Sequence, residues 1–198
     1  MNADVVVTTA LVRGKAAIRV AMVHPVESYW LLYGPKEQTH AQREELDAQF
    51  QNITDWLLNG LIDFNYLSEA LLPSQCDGGA APLPVGRMAY EVVLVPACKT
   101  LRSTTVERLE AFAKAGGTLL FVGEIPSLVD ALPSDRVSRL AGKAQVVQHN
   151  RTDIVAALED SRAVDVISLN TGLRPEALVS QLRQDGAARW FFLCHAEH

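Results

Sequence analysis

Two short apolar runs constrain this chain more than any other feature. Residues 91–96, EVVLVP, and residues 118–122, TLLFV, are strand-length and apolar at nearly every position. A strand with one wet face would alternate polar and apolar, so these runs belong to a sheet covered on both sides. Between them, residues 104–115 carry Val106, Leu109, Phe112 and Ala113 at helical spacing and stop at Gly116. Thr104-Thr105-Val106-Glu107 has the form of a capping box at the start of that helix. Strand, helix, strand in succession implies parallel pairing through a helical crossover.

The same reading places further strands at 17–23, 61–66 and 144–148, with later ones at 164–169 and 189–194. Helices are expected at 39–58, where Leu46, Phe50, Ile53 and Leu57 form a stripe ended by Asn59-Gly60, and at 153–158 and 175–184. Residues 73–90 break the rhythm with Pro and Gly, and 83–86 with 88–90 suit a small β-ribbon. The pattern predicts an α/β fold with a mostly parallel sheet in a three-layer α/β/α arrangement, flavodoxin-like, with strand order 2-1-3-4-5. Residues 1–198 read as one domain with its core at 14–150, and 151–198 completing or extending the sheet.

Composition narrows the function. A chain of 198 residues that is 48% hydrophobic can bury a sizeable core without cross-links. A net charge of −5 and no Lys/Arg run argue against a nucleic-acid partner. The apolar runs are too short for a membrane span, and the first residues lack the basic and apolar regions of a signal peptide. Three widely spaced cysteines, Cys76, Cys98 and Cys194, form no disulfide framework and lean weakly towards a reducing setting, leaving the compartment open. His40, His149 and His198 show no metal-ligand spacing, and no glycine-rich phosphate cradle follows a strand, so no metal and no cofactor is expected.

Ligands of open α/β sheets bind beyond the carboxyl ends of the strands. Three groups reach that edge: His24-Pro25-Val26-Glu27-Ser28-Tyr29-Trp30 after the first strand, Asn65 and Glu69 around the second, and Cys98 after the third. Cys98 is a candidate nucleophile, its place just after the third strand resembling that of the nucleophile in class I glutamine amidotransferases, with His24 and Glu27 as candidate base and orienter. Its flanks, Pro96-Ala97-Cys98-Lys99-Thr100, lack the glycines of a nucleophile elbow, and the only His-x-Glu letters, His195-Ala196-Glu197, end the chain. The structural alternative is a small apolar residue in a turn. His24 could instead close a strand end, or act as general acid with Glu69. His24, Glu27, Tyr29, Trp30, Asn65 and Glu69 form the candidate ligand-binding set, with Tyr29, Trp30 and Tyr33 as a sugar-stacking surface or as core and interface aromatics.

The words GKAAIRVAMVHPVESYW, WLLNGLIDFNYLSEALL and MAYEVVLVPACKTLRSTTVERLEAFAKAGGTLLFVGEIP resemble one stretch of large bacterial glycoside hydrolases, the α-L-rhamnosidase-like group of family 106. The resemblance covers about residues 14–132. It implies a glutamine amidotransferase-like domain downstream of a catalytic barrel, similar to the trimerisation domain of family-42 β-galactosidases. It further implies a non-catalytic accessory role, in oligomerisation or in shaping a neighbouring site. The implied partners are a catalytic barrel of the same or an associated chain, further copies of the chain, and carbohydrate. Asn65 stands where the family's pattern has Asp, and the barrel carboxylates that cleave a glycosidic bond have no counterpart here.

Overall fold

The computed structural model describes residues 11–175 and 178–196. The described elements include, in order, β1 (Lys15–Ala16), β2 (Val20–Val23), α1 (Val26–Leu31), α2 (Lys36–Asn59), β3 (Phe64–Leu67) and α3 (Leu72–Gln75). A ribbon of β4 (Leu83–Val85) and β5 (Met88–Tyr90) leads into β6 (Val92–Val95), β7 (Thr100–Leu101), α4 (Ser103–Lys114) and β8 (Thr118–Val122). Then come β9 (Leu128–Val129), β10 (Leu132–Pro133), α5 (Arg136–Ala141), β11 (Gln145–Val147), α6 (Arg151–Ala157), β12 (Leu178–Asp185) and β13 (Ala188–His195).

Five strands form a parallel sheet in the order β3-β2-β6-β8-β11, the expected 2-1-3-4-5. Every residue of β2 and β6 is buried, because helices flank the sheet and side chains of both parities leave water. Ala21, Val93 and Phe121 join one apolar cluster with Leu109 and Phe112 of α4 and Val137 of α5. Met22, Leu94 and Leu120 join the other with Ile53 and Leu57 of α2 and Ile154 of α6. Each fully buried Leu, Ile or Phe among them contributes about 2 kcal/mol of transfer free energy.

Both long helices end in Schellman motifs. In α4, Gly116 takes φ 91°, its amide reaches the Ala113 carbonyl, and the Gly117 amide reaches the Phe112 carbonyl. In α2 the left-handed residue is Leu61 (φ 56°), not the adjacent Gly60, and the Ile62 amide closes on the Leu57 carbonyl. Gly60 answers a different demand: a Cβ there would meet the Trp56 carbonyl oxygen at 2.8 Å.

Several local expectations are corrected. Residues 175–184 are not helical where they are described: β12 pairs antiparallel with β13 through a two-residue turn at Gly186 and Ala187. Gly186 alone of the two has a positive φ, 59°, as a type II′ turn requires. Cross-strand pairing overrides the helical spacing of Leu178, Val179 and Leu182. Residues 164–169 form no strand, since the Ser168 amide turns back to the Leu173 carbonyl and Asp165 is held by Arg174 at 2.6 Å. The hairpin does not extend the five-stranded sheet; β12 pairs with β1 instead. The capping box does not form: Arg102 is the N-cap of α4, without a side-chain cap bond. Residues 26–31, for which no helix was expected, form α1. Glu197 lies outside the described residues. Among the described residues no helix is long and apolar enough to cross a membrane.

Candidate functional site

The order of the sheet reverses between β2 and β6, where an open sheet of this kind leaves a crevice for ligands. Here one hydroxyl ties together the segments that follow those two strands. Pro25 starts α1, whose first turn carries Glu27 and turns Ser28 inward. Ser28 is fully buried, and its Oγ accepts the amides of Lys99 at 2.9 Å and Thr100 at 3.0 Å while donating to the Thr100 carbonyl at 3.1 Å. The segment after β6 is thereby satisfied by a side chain from α1, 72 residues earlier for Thr100.

Two of the expected carboxylates converge beside this staple. Glu27 takes the Nε of Arg102 at 2.7 Å, and Glu69, 1% exposed, accepts the Arg102 amide at 2.8 Å. Burial pushes the Glu69 carboxyl up to about 7, with a further push from the neighbouring Glu27. The Arg102 amide and the Thr105 hydroxyl pull the other way. That hydroxyl is close enough to matter electrostatically, yet neither Thr105 Oγ1 nor Glu69 Oε1 completes a hydrogen bond. A third carboxylate, Asp130, accepts the Ser103 amide at 2.9 Å, so the first amides of α4 face two carboxylates. This arrangement replaces the cap that the sequence suggested.

Cys98 is buried beside the staple. Burial and, next, the Glu69 carboxylate drive its thiol far above its ordinary value, with Ser28 and Lys99 opposing only in part. A hollow of about 200 Å³ touches it, bounded by the ion pair of Lys99 with Glu124 (2.9 Å) and by Gln42, Glu45 and Gln49 of α2. His24 borders a different hollow, of about 220 Å³, and its ring lies against Phe50 (5.0 Å) and Tyr66 (5.7 Å). Asn65 donates to the Tyr90 hydroxyl at 2.9 Å, tying β3 to the ribbon. Glu27 and Glu69 are thus brought together, whereas His24 and Asn65 have other partners.

The aromatic set also divides. Arg43 of α2 lies over the rings of Tyr29 (5.8 Å) and Tyr33 (5.2 Å), and Tyr29 borders the His24 hollow. Trp30, 62% exposed, faces a larger groove of about 500 Å³ between α1 and the start of α4, which Glu27, Arg102 and Asp130 also line. Arg102 and Asp130 were not read from the sequence. The weak signal was Arg102-Ser103-Thr104, polar residues opening an apolar helix; nothing local pointed to Asp130, in the turn between β9 and β10.

No protein-family model matches this chain, and no curated protein matches it by sequence. Among solved structures it is similar to the cold-adapted β-galactosidase from Rahnella sp. R3, with 17% identity and a TM-score of 0.54 over 91% of this chain. The chain spans about a third of that enzyme, 36% of its length, and the likeness is one of fold.

Proposed function

We propose that this chain is a non-catalytic accessory domain of a larger glycoside hydrolase, of the amidotransferase-like α/β/α type, acting in oligomerisation or in shaping a neighbouring catalytic site. The observation that carries the reading is the fold likeness to a β-galactosidase, which takes in nearly all of this chain and only a third of the other. The site supports it from the opposite direction. At the switch point the Ser28 hydroxyl is taken up by structural hydrogen bonds, and Cys98 is buried with its thiolate strongly disfavoured, a poor setting for a nucleophile. At the same edge, Trp30 and Tyr33 stand 62% and 74% exposed, amphipathic rings suited to a partner surface.

The test is the reading frame that encodes the chain, together with the mass of its full product in solution. A glycoside hydrolase barrel in the same frame, or one that co-purifies as a stoichiometric partner, is expected. A frame without a barrel and a chain that elutes alone as a monomer from its native source overturn the reading.

A further inference from the structure

We propose that the groove between α1 and the start of α4 binds a neutral pyranose sugar. The proposal deepens the accessory-domain reading by naming a ligand class, and rests on that reading only for carbohydrate being at hand. The groove itself is argued from its own chemistry.

Its volume of about 500 Å³ falls within the usual range of small-molecule sites. One wall is apolar and built around the exposed indole of Trp30, with Leu31 beside it. The other wall is polar and only partly used. Arg102 spends Nε on Glu27, and its two Nη nitrogens hydrogen-bond to none of the described residues, leaving four N–H donors. Glu27 Oε1 holds that Nε and Asp130 Oδ1 holds the Ser103 amide with the Ser103 hydroxyl beside it, and each carboxylate, with about four lone-pair sites, keeps acceptor capacity. Thr104 adds a hydroxyl that can donate or accept.

The mixture selects among ligands. An anion would meet two carboxylates against one guanidinium, and a cation, though the net charge admits it, would leave the guanidinium donors unanswered. A wholly apolar ligand would strip water from Arg102 and Asp130 without replacing it. A pyranose matches both walls: its C–H face covers the indole, while neighbouring hydroxyls, each donor and acceptor, answer the alternation of guanidinium and carboxylate. The polar wall is also preset. Asp130 sits in a hairpin turn held by the Ser103 amide on its carboxylate and by the Ala131 amide on Thr100 Oγ1 at 3.0 Å.

The experiment titrates the isotope-labelled chain with glucose, galactose, mannose, rhamnose, xylose, lactose and cellobiose, with glucuronate and glycerol as controls. The readout is the indole N–H resonances of the three tryptophans, with Trp30 assigned through Trp30→Phe. A saturable shift at Trp30 and at the Ser103 and Thr104 amides is expected with at least one neutral sugar. Trp56 and Trp190 should stay still, and affinity should fall by about tenfold or more in Trp30→Ala. Trp30 is exposed, so this variant should melt like the parent, and Arg102→Gln provides a second arm on the polar wall. No saturable shift with any neutral sugar at millimolar concentration overturns the proposal, as do undiminished binding in Trp30→Ala and tighter binding of glucuronate than of glucose. Each of these leaves the accessory-domain reading standing, since that is decided by the reading frame.

Discussion

Ser28 and Thr100 exchange two hydrogen bonds through a single hydroxyl: the Thr100 amide donates to Ser28 Oγ at 3.0 Å, and Ser28 Oγ donates to the Thr100 carbonyl at 3.1 Å. With the Lys99 amide also on that oxygen, Ser28→Ala would strand two amide donors at the closed end of the sheet. The expected loss is about 2–4 kcal/mol by urea unfolding, the cost of leaving both unpaired. A loss below about 0.5 kcal/mol, the range of ordinary surface substitutions, would mean that water reaches the crevice and the staple is dispensable.

Glu69 gives folding a pH dependence of unusual sign. Its carboxyl rises from 4.5 to about 7 on folding, so the native state holds the proton more tightly than the unfolded chain. The stabilisation is complete below about pH 4.5 and is lost as pH rises through about 7. In Glu69→Gln the fall in stability between those pH values should flatten, by roughly 3 kcal/mol at most. Parallel stability curves for parent and variant across that window would count against it.

Gly116 and Gly117 separate two costs of a methyl group. At Gly117 a Cβ would meet the ring of Phe112 at 2.1 Å, and Phe112 is fully buried. Gly117→Ala should cost about 3 kcal/mol or more, because a packed ring has to move. At Gly116 a Cβ would touch nothing, but φ is 91°, so Gly116→Ala should cost about 1 kcal/mol of backbone strain alone. Equal losses in thermal melts would refute the distinction.

The turn between β9 and β10 holds Asp130 (φ 49°) and Ala131 (φ 63°) in the left-handed region. Asp tolerates that conformation better than Ala does. Ala131→Gly should therefore stabilise the protein by about 0.5–1 kcal/mol, keeping the amide that reaches Thr100 Oγ1. A lower melting temperature would show that the alanine methyl has a packing role outweighing its strain.

Thiol labelling bears on the amidotransferase alternative. Cys194 is exposed, whereas Cys76 and Cys98 are buried and Cys98 is strongly disfavoured as a thiolate. One fast reaction with iodoacetamide is expected in the native protein, assigned to Cys194 by mass spectrometry. Rapid labelling of Cys98 would revive it as a nucleophile.

Legibility in the sequence followed the range of the forces involved. The buried strands and the order of the sheet could be read because runs such as Val92–Val95 leave no wet face, a property of the segment itself. The stop of α4 at Gly116 was local too. The cap of α4 was not: Thr104-Thr105-Val106-Glu107 has the letters, but Asp130 and Glu69, 27 and 33 residues from their partner amides, took the role. Residues 175–184 misled because a helical spacing of leucines yielded to a hairpin partner, with Asp185-Gly186 as the overlooked turn signal. At the site, Glu27, Trp30 and Glu69 could be named from their strand ends. Ser28 as a staple and Arg102 as a shared partner could not, since each acts on a loop distant in sequence.

The pairing of β1 with β12 has a kinetic consequence. The bond from Arg183 to the Gly14 carbonyl closes a loop 169 residues long, the register Lys15↔Gln184 resting on only two residues of β1. Such a closure sacrifices chain entropy for little buried surface, so it should form after the parallel sheet has assembled and part before the sheet does. Amide exchange at Ala17, whose N–H reaches the Leu182 carbonyl, should therefore run ahead of exchange at Val93 by orders of magnitude. The two ends of the described chain would then come and go as a latch on a sheet that stays whole.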